Sequence, residues 1–131
     1  MNVKTDTKEK FHVITIEERA MSANMTEELE EYLLPLLKKD VKNVVLNCKD
    51  IQNMDDAAAL SLAKIQQDFY EQSVSFVVCG LSPTVESTID KLGLLETMNT
   101  TPTESEAWDI IQMEEIEREL MDDDNPDFKL D

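Results

Sequence analysis

Glycine is almost missing from this chain, with two in 131 residues, and so the glycine-rich loops that cradle phosphates are not available to it. Aromatic side chains make up only 5%, so the core has to be assembled from Leu, Ile, Val, Ala and Met. There is one histidine, His12, and two cysteines, Cys48 and Cys79, which share no CxxC spacing and sit in separate apolar segments. That set is expected to hold no metal, and the thiols read as reduced, buried small hydrophobes. No apolar run approaches the roughly 18 residues of a membrane span. The N-terminus, MNVKTDTKEK, carries no leader-like apolar stretch, which points to a cytoplasmic protein with no direct membrane insertion.

Positive charge is also scarce. Twelve Lys and Arg stand against 29 Asp and Glu, for a net charge of −17. Phosphate backbones are bound by cations that displace counterions, so this balance argues against nucleic acid as a partner. The imbalance is greatest at the end: residues 104–131 hold twelve acids and two bases. A solvated helix face followed by an acidic, disordered tail is the expected form of such a run.

Hydrophobic residues nevertheless reach 41%, enough for one core. Residues 11–16 (FHVITI) read as a strand, with a second opening strand at 2–6. A helix is predicted over 24–39 from the spacing of Met25, Leu29, Tyr32, Leu33, Leu36 and Leu37, with Asn24 as its cap. Pro35 inside it predicts a kink or two helical pieces. Residues 43–48 (NVVLNC) and 74–80 (VSFVVCG) are apolar runs of the kind buried on both faces of a parallel sheet. Between them, Ala58, Leu62, Ile65 and Phe69 form one stripe of a helix over 56–72. Ser82 and Pro83 start a further helix with Val85, Ile89 and Leu92 inward, and Gly93 stops it. A last short strand is expected at 94–98. Thr103 with Glu106 forms a capping box for a helix reaching about residue 120.

On that helix Ala107, Ile110 and Ile111 share one face, while Met113, Ile116 and Leu120 share another. The second set is expected to lie over the core on a slightly bent helix, with a docking stripe as the competing reading. The order of elements predicts an α/β domain over residues 1–120, a mixed sheet of four or five strands with about four helices, and an acidic tail at 121–131. Loops at the carboxyl ends of parallel strands are the usual interaction sites, and residues 51–56 form one of these.

Several spaced features resemble the STAS domain of bacterial anti-sigma factor antagonists. They are VVLNCKDI at 44–51, MDDAAAL at 54–60 where the family shows Asp-Ser-Ser-Gly-Leu, then VSFVVCGLSP and VESTIDKLGL at 74–94. The resemblance implies a regulatory module that works by protein contact. In the family, the first Ser at the start of the second helix accepts phosphate from a kinase that is also an anti-sigma factor, and the phosphate breaks the complex. Aligning Asp55 with the family's Asp places Asp56 on that Ser, Ala57 on the second Ser and Ala58 on the Gly.

Asp56 has no hydroxyl, so the usual switch has no acceptor there, and its single negative charge only partly mimics a phosphoserine. Asp56 or Asp55 also suits a helix N-cap. The loop at 18–22 (ERAMS), which helps form the kinase-binding face in relatives, lacks their Gly-Glu-Leu-Asp type of sequence. The expected partner-binding surface is Asn53, Met54, Asp55, Asp56 and Ala57, and the expected partner a serine-kinase-type anti-sigma factor or a related regulator. A homodimer is left open.

An aspartyl phosphate on Asp55 or Asp56 would need further carboxylates and a lysine at neighbouring strand ends, and the strand ending Cys79-Gly80-Leu81 supplies none. No hydrolase, kinase or dinucleotide motif can be assembled, so no enzyme and no cofactor are expected. The competing functions are a small STAS subunit or scaffold of a larger complex, in lipid transport or a sensory assembly, and a nucleotide-sensing STAS module.

Overall fold

Pleat alternation decides which side of the sheet each strand residue serves. The computed structural model describes residues 1–123. Strands β1 (Val3–Thr7), β2 (Phe11–Ile16), β4 (Asn43–Asn47), β6 (Phe76–Cys79) and β7 (Thr100–Thr101) form one sheet in the order β1-β2-β4-β6-β7. The β1–β2 pair is antiparallel, with Thr5 opposite Ile14; the other three pairs are parallel, with Val13 opposite Val45 and Val45 opposite Val77. Ile14, Ile16, Val44, Leu46, Phe76 and Val78 face one side and carry the main core. Phe11, Val13, Val45, Val77 and Cys79 face the other and carry a smaller one.

Helices α1 (Ala23–Leu33), α2 (Asp56–Glu71) and α3 (Pro83–Lys91) pack on the main side. Their inward residues include Leu29 and Leu33 of α1, the stripe Ala58, Leu62, Ile65 and Phe69 of α2, and Val85 and Ile89 of α3, all buried. The smaller side is covered by α4 (Glu104–Asp123) through Ala107 and Ile111, with Trp108 stacked on Phe11 at 4.6 Å between ring centroids.

Pro35 divides the first helical segment as its chemistry requires: α1 ends at Leu33 and a 3-10 turn, Leu34–Lys38, follows. The start of α1 differs from expectation. Ser22, with extended backbone, is the N-cap in place of Asn24, which lies inside the helix. The last strand also differs. Residues 94–98 form turns, with the amides of Thr97 and Met98 bonded to the Leu94 carbonyl, and sheet pairing begins only where the Asn99 carbonyl accepts from Val78 N–H at 3.0 Å. Gln66, buried within α2, sets that register by donating to the Phe76 and Asn99 carbonyls and accepting from Asn99 N–H.

Ser82 accepts from Val85 N–H with Pro83 at the first helical position. Thr103 Oγ1 accepts from Glu106 N–H at 3.1 Å while its hydroxyl donates to Glu106 Oε1 at 2.9 Å, so the second bond of the box comes from the side chain and not from the backbone. Helix α4 runs to Asp123, so residues 121–123 of the expected tail are helical. The remainder of that tail, 124–131, lies outside the described residues. Met113, Ile116 and Leu120 do not lie over the core: they are 63%, 55% and 63% exposed. Ala107 and Ile111 anchor the helix on the sheet and leave the face with these three residues turned away from it.

Candidate functional site at the start of the second helix

The segment before α2 is held by a second, two-stranded sheet that sequence periodicity does not show. Strand β3 (Ala20–Met21) pairs in parallel with β5 (Asn53–Met54), Ala20 opposite Asn53 and Met21 opposite Met54. The Arg19 carbonyl accepts from the amides of Gln52 and Asn53, and the Met21 carbonyl accepts from Asp55 N–H at 3.1 Å. Two-residue strands carry no alternation to detect, so the only sequence clue is their place before two helices. The result is that the loop at 18–22 and the start of α2 form one surface.

Asp55 is the N-cap of α2. Its backbone is extended and its Oδ1 accepts from Ala58 N–H at 2.7 Å. Asp56 is therefore the first helical residue and leaves its carboxylate free of capping. It is exposed, close to the positive end of the helix dipole, and 3.8 Å from Lys91 Nζ at the end of α3. Both side chains of that pair are mostly solvated, so it orients more than it stabilises. No sequence pattern brings Lys91 at the end of α3 to the start of α2; only the packing of the two helices does.

The five predicted contact residues divide. Asn53, Asp55, Asp56 and Ala57 are exposed on one patch, whereas Met54 is buried at 6% exposure in the main core. Met54 anchors the loop and presents no surface to a partner. Leu60, one turn beyond Asp56 and 51% exposed, extends the patch with an apolar side chain. Residues 55–60 contain no hydroxyl. Beside the patch, Glu17, Glu18, Arg19, Lys49, Asp50 and Gln52 line a shallow depression of about 460 Å³ at the carboxyl ends of β2 and β4.

The groups with other chemical potential are committed to structure. His12 donates from Nε2 to the Val41 carbonyl at 2.8 Å, and its Nδ1 meets the Thr7 hydroxyl at 2.9 Å. Cys48 and Cys79 are free thiols, both buried. Burial pushes Cys48 up to about 12; burial and then the nearby Glu104 carboxylate push Cys79 up to about 11. Neither is a thiolate near neutral pH. Among the described residues there is no cluster of three or more His, Cys, Asp or Glu placed to hold a metal, and no helix long and apolar enough to cross a membrane.

A mixed five-stranded sheet with helices on both faces, and an exposed helix start joined to the loop before α1, define a small α/β domain. The chain belongs to the STAS domain family, whose model matches residues 2–107. Among solved structures it is similar to RsbS of Moorella thermoacetica carrying glutamate in place of a serine, at 22% identity and a TM-score of 0.71, over 86% of this chain and 96% of that one. It is similar to the anti-sigma factor antagonist SpoIIAA in its unphosphorylated form, at 16% identity and 0.65, over 85% and 96%. It is also similar to a chain of the stressosome, described as a signal integration and transduction hub, at 20% identity and 0.66, over 83% and 96%. At these identities the likeness is one of fold. No curated protein matches the chain significantly.

Proposed function

We propose that this STAS domain is a cytoplasmic, non-enzymatic regulator that acts through protein contact, in the manner of an anti-sigma factor antagonist, without phosphorylation at the second helix. The observation that carries this reading is Asp56. It occupies the place where the family resemblance puts a phosphoacceptor serine, exposed at the first residue of α2 while Asp55 does the capping. Asp56 is thus free to meet a partner, and a permanent single charge replaces a switchable one. The partner best suited to the surface Asn53, Asp55, Asp56 and Ala57 is a serine-kinase-type anti-sigma factor or a related regulator. Binding would then be set by the amount of each protein or by competition with a phosphorylatable relative.

The test is affinity capture from the source organism with wild type, Asp56→Ser and Asp56→Lys as baits. Wild type should retain a kinase-fold anti-sigma factor or a related phosphatase, Asp56→Lys should lose it at least tenfold, and Asp56→Ser should become phosphorylated by it. Equal capture of the same proteins by all three baits would overturn the reading, as would stoichiometric phosphate on residues 51–61 of the native protein.

A second reading is a subunit of a large sensory assembly, favoured by the likeness in fold to RsbS and to the stressosome chain. It predicts that the native protein elutes in particles many times larger than 15.0 kDa.

A further inference from the structure

Helix α4 has two faces with opposite duties. The inward face runs through Ala107, Ile111, Glu114 and Arg118, spaced i, i+4, i+7 and i+11. Ala107 and Ile111 are fully buried. Glu114 accepts from the Tyr70 hydroxyl at 2.8 Å, the Ser75 hydroxyl at 2.6 Å and Asn99 Nδ2 at 3.2 Å. Arg118 donates to Ser75 Oγ at 2.7 Å, and Glu115 accepts from Asn43 Nδ2 at 2.6 Å. These donors gather at the amino ends of β4, β6 and β7. Rotating α4 to bury its outer residues would strip Glu114 of its three donors and Arg118 of its bond to Ser75, leaving Arg118 only the Glu115 contact within the helix, so the helix is locked with its outer face outward.

That outer face carries Met113, Ile116 and Leu120 in one row, more than half exposed each. Exposed Glu106, Asp109, Glu117 and Glu119 border it. The one base of the helix, Arg118, is turned inward. An apolar row spaced i, i+3 and i+7 is the ridge against which another helix packs. The rim selects the partner. A second copy would bring the same four acids against themselves on a chain of net charge −17, whereas a cationic helix would pair with them.

We propose that the outer face of α4 is a second docking surface, for a Lys- or Arg-rich amphipathic helix of a partner protein. It is separate from the α2 patch. The sheet lies between α2 and α4, and residues 113–120 sit toward the amino ends of the strands, away from Asp56. Both surfaces can therefore be occupied at once, which makes the domain an adaptor as well as a competitor. The inference does not depend on the role proposed for Asp56.

The test is NMR titration of the full ¹⁵N-labelled chain with a Leu/Lys amphipathic helical peptide of about five turns and with its sequence-scrambled isomer. The amphipathic peptide should shift resonances across residues 109–121 and bind at least tenfold tighter than the scramble. The double variant Ile116→Ser/Leu120→Ser, which keeps every charge, should weaken binding at least tenfold with unchanged thermal stability. Asp56→Lys should leave it within twofold. Equal binding of scramble and amphipathic peptide, or full binding by the double variant, would reduce the face to general acidity and overturn the proposal. So would a micromolar wild-type dimer in sedimentation that the double variant abolishes, because a second copy would then cover the row.

Discussion

Asp55 and Asp56 are neighbours with the same side chain and different work, and stability separates them. Asp55→Ala removes the cap bond to Ala58 N–H and should lower unfolding free energy by about 1 kcal/mol. Asp56→Ala removes only a solvated contact to Lys91 and should stay within about 0.5 kcal/mol of wild type. Urea unfolding followed by Trp108 fluorescence measures both. Gly80 is the other residue with a sharp expectation. Its φ of +76° lies in the left-handed region, and a Cβ there would meet Asn47 Oδ1 at 3.1 Å and Lys49 N at 3.3 Å. Gly80→Ala should therefore cost about 1–2 kcal/mol from backbone strain alone. Gly93→Ala, at φ +74° with open space around it, should cost less than Gly80→Ala.

The buried thiols and Tyr70 give the molecule an alkaline limit. Tyr70 is pushed up to about 12, first by burial and then by its bond to Glu114. In the folded chain Cys48, Cys79 and Tyr70 hold their protons past the pH at which an unfolded chain releases them, near 8.5 for thiols and 10 for Tyr. The unfolded state then binds fewer protons, so stability is fully present below about pH 8.5 and is lost progressively toward pH 11–12. Thermal melts from pH 7 to 11 should show a plateau followed by this decline. A rise in melting temperature over that range would contradict it.

At the level of elements, α4 is held by polar chemistry as much as by its small apolar contact. Glu114→Ala would leave the Tyr70 and Ser75 hydroxyls and the Asn99 amide short of an acceptor, a loss of about 1–3 kcal/mol. Hydrogen exchange should show the loss concentrated in α4 amides, with α1–α3 still protected, because those helices share the other core. The same elements show how far sequence patterns reach. The α2 and α3 stripes, the capping residues Ser82 and Thr103, and the break at Pro35 are local signals, and the structure has them where residue spacing places them. The strand expected at 94–98 failed because its apolar Leu94, Leu95 and Met98 serve a turn that packs on the main core. Pairing was decided by Gln66, a polar helix residue that no periodicity marks as buried.

For the whole molecule, net charge dominates. At −17 on 131 residues the folded chain repels itself, and screening lowers that cost. Melting temperature should rise by several degrees, on the order of one to a few kcal/mol, between low salt and about 0.5 M NaCl. A salt-independent melt would mean that the acids are locally compensated.

From the sequence alone came the family resemblance, the element types and the charge, because all three reside in composition and short-range spacing. The missing hydroxyl at Asp56 is equally a matter of sequence. Only the tertiary structure decided that Asp55 caps and Asp56 does not, that Met54 is buried, and that β3 and β5 join the loop at 18–22 to the α2 start. It also decided which of two apolar faces α4 buries. As written each face offers three apolar residues, Ala107, Ile110 and Ile111 against Met113, Ile116 and Leu120, and the choice rests on Ser75, Tyr70 and Asn99, residues distant in sequence that converge on Glu114.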